Sequence, residues 1–222
     1  MCIRDSDAPF AEVTLGANNF RRLLAAGSRT VQDQTWLGAI ELEGNDGPWD
    51  TPERLRKANA VLRYSQGSPM RGLSITAMAY QSRWNSTDQI PERLVDSGEL
   101  SRFGSLNTTD GGKTRRLSLS GKWFDNSPEG QTQLSGYVID YRFDLFSDFT
   151  YFLNNPEQGD QFEQTDRRRV FGLQGTHSRP NQIGGLDGVL SFGGSWRGDR
   201  IGEVGLYNTV ARERTSTVRN DK

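Results

Sequence analysis

The sequence predicts an all-β protein whose strands follow one another as an antiparallel up-and-down meander. Apolar and polar residues alternate along 113–124 and 131–144, two segments joined by a short turn, and a period of two is the pattern of a strand with one apolar face. Each segment is long, whereas strands of soluble proteins usually have about five or six residues and a tilted strand crossing a bilayer needs roughly 9–11. This hairpin is therefore predicted to span a membrane.

Each strand of the hairpin is predicted to have one apolar and one charged face. The apolar positions are Leu117, Leu119 and Trp123 in the first strand and Tyr137, Ile139, Tyr141 and Phe143 in the second. The opposite positions hold Arg116 and Lys122, and Asp140, Arg142 and Asp144. Charges belong on the water-filled side of a barrel wall, so these five charged residues are predicted to face the lumen.

The other predicted strands follow in chain order at 10–15, 20–26, 34–42, 57–66, 72–84, 167–176 and 186–197. Helix is the alternative for 21–26, because Arg, Leu and Ala are good helix formers, but the run is short and ends at Gly27. From Gly198 onward we expect a loop and the beginning of a further strand. The result is a partial transmembrane β-barrel of about nine strands.

Charge and hydropathy exclude some classes of protein. There are 27 basic and 28 acidic residues, for a net charge of -1, so nothing indicates a nucleic-acid partner. The mean hydropathy is -0.71, and no stretch approaches the roughly 18 consecutive apolar residues of a membrane helix. A barrel remains compatible with these values, because alternating lipid-facing and lumen-facing residues give a polar average.

The two ends of the sequence predict an internal fragment of a longer protein. Residues 1–8 have no apolar run and resemble translated adapter sequence, so we expect a non-native or disordered extension there. Residues 9–222 are expected to form an incomplete barrel domain, since 212–222 is mostly polar and has no apolar closing strand. The only cysteine, Cys2, excludes a disulfide framework and a thiolate metal site.

Connections of two lengths alternate along the chain. Those after the third, fifth and seventh predicted strands are long, and those after the fourth and sixth are tight turns. In a meander, alternate connections lie at the same end, so one rim is predicted to carry the long loops, as in outer-membrane barrels. The link around Pro180 is longer than a tight turn and fits this pattern less well.

Several segments resemble the barrel of TonB-dependent outer-membrane receptors. They are 73–80, 84–91, 101–104, 110–112, 144–152 and 159–164, in matching order, and the resemblance extends over nearly the whole chain from about Phe10. These receptors have a plug domain inside a barrel of about 22 strands. The resemblance implies residence in the outer membrane of a Gram-negative bacterium and TonB-driven import of a scarce small-molecule ligand, such as a ferric siderophore or cobalamin. TonB and the plug would lie outside this chain, which alone should be inactive.

Aromatic and arginine side chains in or beside the long connections are the candidate ligand contacts, because they can hold flat or anionic groups. We predict this role for Trp49, Arg54, Arg93, Phe103 and Phe162. Trp84 and Tyr151 are instead predicted as girdle residues at the membrane interface, which Trp and Tyr prefer.

No catalytic constellation can be assembled, and we predict no enzyme activity, metal or cofactor. The sole histidine, His177, is expected to be a polar residue near a strand end. Calcium at Asp110 or at Asn154, Asn155 and Asp160 is a weaker alternative, because the EF-hand spacing is absent. A secreted carbohydrate-binding or structural β-protein stays the main alternative, and an outer-membrane enzyme would need a base that Ser86 and Ser101 lack.

Overall fold

The computed structural model describes residues 8–221 and confirms the all-β fold class. Its strands are β1 Phe10–Leu15, β2 Arg21–Val31, β3 Gln34–Asn45, β4 Leu55–Gly67, β5 Arg71–Asn85, β6 Gly111–Ser127, β7 Gly130–Ser147, β8 Phe162–Ile183, β9 Leu186–Val210 and β10 Glu213–Asp221. One short helix, α1 Glu92–Asp96, lies in the connection between β5 and β6. The predicted extension at 1–8 lies outside the described residues except for Ala8.

All ten strands form one antiparallel sheet in which each strand pairs with its neighbours in sequence. The sheet is not closed. The segment for which helix was the alternative, 21–26, is a strand that pairs with β1 on one side and β3 on the other. Pairing on both sides outweighs the modest helix propensity of its Arg, Leu and Ala residues.

The prediction of a loop from Gly198 onward is wrong. β9 continues to Val210 and a tenth strand follows after a short turn. Arg168 pairs with Ile201 and Arg167 with Glu203, so Gly202 is an extra residue in β9. Such a bulge reverses the alternation of faces, and this hides the second half of the strand from a search for a period of two.

The connection around Pro180 is also shorter than predicted. β8 continues through it to Ile183, and the turn consists of Gly184 and Gly185, with φ of +60° and +82°. Pro180 fits in the strand because β8 pairs with β7 only as far as Ser178, so no neighbour on that side needs its missing N–H. The pattern of long loops at one end and short turns at the other thus extends to this turn.

The register divides the side chains of the sheet into two faces. We call apolar face the one that carries Leu23, Ile40, Leu62, Ile75, Leu119, Val138, Phe171 and Trp196. We call polar face the one that carries Arg22, Glu41, Asn59, Thr76, Ser118, Ser135 and Arg168. Within each face, residues opposite each other on adjacent strands are neighbours.

Very little apolar surface is covered within this sheet. Among the described residues, the buried apolar side chains are Ala26, Phe146, Val170 and Tyr207. On the apolar face, by contrast, the exposed fraction is 52% for Leu62, 49% for Leu119 and 64% for Leu173. The sheet therefore has no hydrophobic core of its own, and its apolar side chains point outward along a whole face.

Candidate functional site

The three long connections meet at one end of the sheet, and we call them together the loop rim: residues 46–54, 86–110 and 148–161. Backbone hydrogen bonds join them, from Asp50 N to Phe103 O at 3.0 Å and from Asn85 N to Glu53 O at 2.6 Å. The backbone N–H of Asp148 donates to the Asp88 carboxylate at 2.8 Å. The rim is therefore an ordered surface built from all three connections.

Two of the predicted ligand contacts come together in this rim. The rings of Trp49 and Phe103 meet edge to face, with centroids 6.1 Å apart. The indole Nε1 of Trp49 donates to Glu53 Oε1 at 2.8 Å, which fixes the ring orientation. Phe103 stays 45% exposed, so the pair presents aromatic surface to the outside of the rim.

The other three predicted contacts do not join this pair by any described contact. Phe162 is the first residue of β8, and its ring packs edge to face on Phe149 at 5.3 Å. Arg93 is exposed on α1. Arg54 is exposed just before β4 and has a φ of +48°, which is uncommon for a residue other than glycine.

The two predicted girdle residues lie in different parts of the structure. The register pairs Trp84 with Gly112 and places it on the same side of β5 as Tyr80 and Ser82, which is the polar face. Tyr151 lies in the loop rim, where its hydroxyl donates to Gln89 O and burial raises its pKa to about 12.

Four aromatic residues that were not predicted as girdle residues lie on the apolar face toward the short turns: Trp36, Tyr64, Trp123 and Trp196. The rings of Trp36 and Tyr64 are 4.7 Å apart on neighbouring strands. The signal was present in the sequence, because Trp36 and Trp123 each follow the apolar parity of their strand.

The five charged residues predicted to face the lumen together do not share a face. The register pairs Arg116 with Tyr141 and Leu117 with Asp140. Arg116 and Lys122 therefore lie on the polar face, whereas Asp140, Arg142 and Asp144 lie on the apolar face. The hairpin turn is only Pro128 and Glu129, and this length sets the offset between the two strands that parity within each strand cannot reveal.

One group of charges on the polar face, on β2 to β4, is paired internally. Arg22 Nε donates to Glu41 Oε1 at 2.6 Å, and Lys57 Nζ donates to Glu43 Oε2 at 2.6 Å. The amide of Asn59 adds a hydrogen bond to Glu41 at 2.8 Å. The Glu41 side chain is 17% exposed and that of Lys57 24%, so this network is shielded from solvent.

On the apolar face, basic side chains gather near the loop rim. We call this group the cationic band: Arg21, Arg56, Arg83, Lys113, Arg115, Arg142, Arg167, Arg169 and Arg200. Asp140, Asp144 and Glu203 are the carboxylates that pair with it, and these ion pairs range from 3.2 to 3.6 Å. The band could not be predicted from the sequence, because its members come from seven strands and only the register aligns them.

Asp110 lies at the base of the rim and is completely buried. Its Oδ1 accepts a hydrogen bond from Gln161 Nε2 at 2.8 Å, while no donor in the described part of the chain reaches Oδ2. Burial and the nearby charges of Asp88 and Asp148 raise its pKa to about 7, although the Gln161 hydrogen bond acts in the opposite direction. Asp110 is thus a buried acid that can take up a proton near neutral pH.

Arg212, in the turn between β9 and β10, connects the distant parts of the rim. Its Nη2 donates to Asp110 O at 2.9 Å and to Asn85 Oδ1 at 3.1 Å, and its Nε donates to Thr109 O at 2.5 Å. Its guanidinium carbon also lies 5.5 Å from the centre of the Phe146 ring. One side chain therefore ties β9 and β10 to the connection between β5 and β6.

The calcium alternative at Asp160 finds its ligand atoms already engaged. The Asp160 carboxylate accepts hydrogen bonds from Thr150 Oγ1 at 2.7 Å and from the backbone N–H groups of Asn154 and Asn155 at 2.9 and 2.8 Å. These bonds hold its pKa below the usual range although desolvation opposes them. Across residues 8–221, no group of three or more His, Cys, Asp or Glu residues is arranged to hold a metal ion.

Comparison with protein-family models and with curated proteins found no match for this chain. Within the described residues, no helix has the length and apolar character needed to cross a membrane.

Proposed function

We propose that this chain forms part of the wall of an outer-membrane receptor and transporter in a Gram-negative bacterium. The observation that carries the proposal is the apolar face, whose leucines are about half exposed while few apolar side chains are buried elsewhere in the described residues. A soluble sheet would bury such a face against a second layer of structure. A lipid bilayer provides the apolar surroundings that the protein itself does not supply.

The shape of the connections supports the same function. Long connections lie at one end of the sheet, and turns such as Pro128-Glu129 and Gly184-Gly185 lie at the other. Outer-membrane barrels have long extracellular loops and short periplasmic turns. The strands from β2 to β9 have 11 to 25 residues, which is sufficient for a tilted strand that needs roughly 9–11 to cross the hydrocarbon core.

In the intact protein, the loop rim would bind a scarce small molecule, such as a ferric siderophore or cobalamin, for import driven by TonB through a plug domain. The aromatic pair of Trp49 and the exposed Phe103 supports this role, because aromatic faces can hold flat ligands. The indole hydrogen bond to Glu53 keeps the pair oriented before any ligand arrives.

The first experiment is to express the gene that contains this chain in its native context and to isolate outer membranes. We expect the product in the outer-membrane fraction, with heat-modifiable migration on a gel, because folded barrels resist unfolding in detergent without heating. A soluble product would reject the proposal and favour a secreted carbohydrate-binding protein. Ligand uptake with and without TonB then tests the transport step.

A matched pair of cysteine variants tests which face meets lipid. In a Cys2→Ser background, Leu119→Cys lies on the apolar face and Ser118→Cys, its neighbour in β6, lies on the polar face. We expect a membrane-soluble maleimide to label position 119 and a water-soluble maleimide to label position 118. The reverse pattern, or equal labelling by the water-soluble reagent, would contradict the assignment of the faces.

A further inference from the structure

We propose that the cationic band binds the phosphate groups of membrane-lipid headgroups, while the acyl chains of the same lipids lie along the adjoining apolar face. This inference rests on the proposed function, because it needs the apolar face to be covered by a bilayer. It names a second binding surface, separate from the loop rim, and a partner of defined chemistry: a phosphorylated lipid of the leaflet on the loop-rim side.

Several charges of the band have no counter-charge in the described part of the chain. Arg21, Arg83 and Arg115 are exposed, and within residues 8–221 no carboxylate lies within ion-pair distance of them. Where carboxylates are present, their partners stay exposed, and Lys113 remains 69% exposed beside Asp144. The band thus keeps a net positive charge that an external anion can neutralise.

The register places several cations of the band directly opposite one another on neighbouring strands. Arg56 lies directly opposite Arg83 on the neighbouring strand, and Arg115 lies directly opposite Arg142. Arg169 and Arg200 face each other in the same way. Like charges directly opposite each other destabilise a sheet, whereas a phosphate between two guanidinium groups would bind both.

Two arginines of the band converge at Gly44, which lies in β3 between Arg21 of β2 and Arg56 of β4. A side-chain carbon on Gly44 would lie 3.1 Å from Arg21 Nε and also 3.1 Å from Arg56 Nη1. The two guanidinium groups therefore converge over a position where no side chain intervenes. This arrangement leaves nitrogen donors of two arginines within reach of a single phosphate group.

The surroundings of the band select a lipid over a soluble anion. A groove of about 880 Å³ runs along the band, and its wall includes Val13, Leu23 and Leu42 beside the basic side chains. Leu23 and Leu42 face each other on β2 and β3 and begin the apolar face directly below Arg21 and Gly44. A headgroup phosphate and an acyl chain can occupy these two parts of the surface at once, because long arginine side chains reach toward the headgroup level.

The test uses the folded protein, expressed from its native gene and reconstituted in phosphatidylcholine vesicles with and without lipid A, a lipid that carries two phosphates. Bound lipid A is separated from phosphatidylcholine and quantified by mass spectrometry after gentle detergent extraction. We expect lipid A to be retained, and we expect the Arg83→Gln/Arg115→Gln variant to weaken that retention about tenfold. Raised salt should weaken it further.

The control is Arg116→Gln/Lys122→Gln, which removes the same charge from the polar face. Arg115 and Arg116 are consecutive and both exposed, so these two positions differ mainly in the face that they alter. We expect the control to retain lipid A as the native protein does. Heat-modifiable migration of both variants checks that each has folded.

Four results would overturn the inference. Equal retention by both variants, or no preference for lipid A in a protein that inserts into neutral vesicles, would reject the band as a lipid site and leave the proposed function intact. Displacement of lipid A by millimolar inorganic phosphate would assign the site to a free anion. Failure to insert into any vesicle would reject the proposed function, and this inference with it.

Discussion

The Glu41 network of the polar face and the cationic band of the apolar face hold their charges in different ways. On the polar face, Glu41 accepts hydrogen bonds from Arg22 and Asn59 and lies 3.4 Å from Lys57 Nζ. On the apolar face, arginines are placed opposite other arginines, and the Arg142 and Arg169 side chains are 57% and 58% exposed. The Glu41 network is neutralised within the protein, whereas Arg21, Arg83 and Arg115 of the apolar face have no carboxylate within ion-pair distance among residues 8–221.

This difference indicates where each face can function. A neutralised network tolerates an enclosed environment, because its charges keep their partners when water is removed. Unpaired cations next to an apolar surface fit the boundary between hydrocarbon and headgroups, where water and phosphates are within reach. Consecutive residues of a strand lie on opposite faces of the sheet. Arg115 and Arg116 are therefore in two different environments although they are neighbours in the chain.

The sharpest test of the comparison places a charge in the middle of the apolar face. Leu119→Arg should destabilise the folded state in vesicles by about 3 kcal/mol, because an arginine facing lipid near mid-membrane costs roughly 2–4 kcal/mol. Ser118→Arg, on the polar face, should cost less than about 1 kcal/mol. Reversible urea unfolding in vesicles measures both, and similar costs would contradict the difference between the faces.

The second prediction concerns the buried acid of the rim. The unfolded carboxyl of Asp110 loses its proton near pH 4, but the folded one retains it to about pH 7. Its contribution to stability is therefore full at low pH and falls between these values. Asp110→Asn should be more stable than the native protein by about 2 kcal/mol at pH 8, with a smaller difference at pH 4.

Urea unfolding at both pH values checks this prediction, and Asp160→Asn is its control. The pKa of Asp160 is lowered by hydrogen bonds from the rim, so its contribution is present above the unfolded pKa and is lost as the pH falls. Asp160→Asn should therefore destabilise the protein at pH 8 and have less effect at low pH. The same pH trend in both variants would refute the assignment.

A third prediction probes the ion-pair network of the polar face. Glu41→Gln should destabilise the protein by about 1–2 kcal/mol, because Arg22 and Lys57 lose a shielded partner. Glu12→Gln removes a carboxylate that also contacts Arg22 but has a 56% exposed side chain. Its effect should be close to zero, and equal effects would indicate that the network is not shielded.

The smallest expected effect is on the cationic band. Arg115→Gln, measured in neutral lipid, should stabilise the protein slightly, by about 0.5 kcal/mol, because it relieves repulsion from Arg142. Arg116→Gln should have no effect of this sign. A clear loss of stability for Arg115→Gln in neutral lipid would indicate that the band already has a partner within the protein.

The sequence predicted the strands well because most of them alternate strictly. Each predicted strand corresponds to an observed one, and the helix alternative for 21–26 was resolved correctly. Alternation within one strand does not determine which of its faces continues into which face of the next strand. For this reason Arg116 was predicted to share a face with Asp140, although the register places them on opposite faces. Likewise, the bulge at Gly202 hid the second half of β9 because it reverses the period there.

The rim and the band were harder to predict. Trp49 and Phe103 belong to different connections, with β4 and β5 between them in the chain, and backbone hydrogen bonds between the loops hold these connections together. The buried carboxylate of Asp110 accepts its hydrogen bond from Gln161, which is far away in sequence. Such features arise from tertiary packing and have no local pattern that a single sequence displays.

The position of Arg212 has a consequence for the order of folding. Every strand pairs with the strand next to it in sequence, so hairpins can assemble one after another with short loops to close. The bond from Arg212 to Asn85 joins residues 127 positions apart, and it can form only after the intervening strands have assembled. We therefore expect the rim to be the last region to become ordered and the first to exchange its amide hydrogens when the sheet loosens.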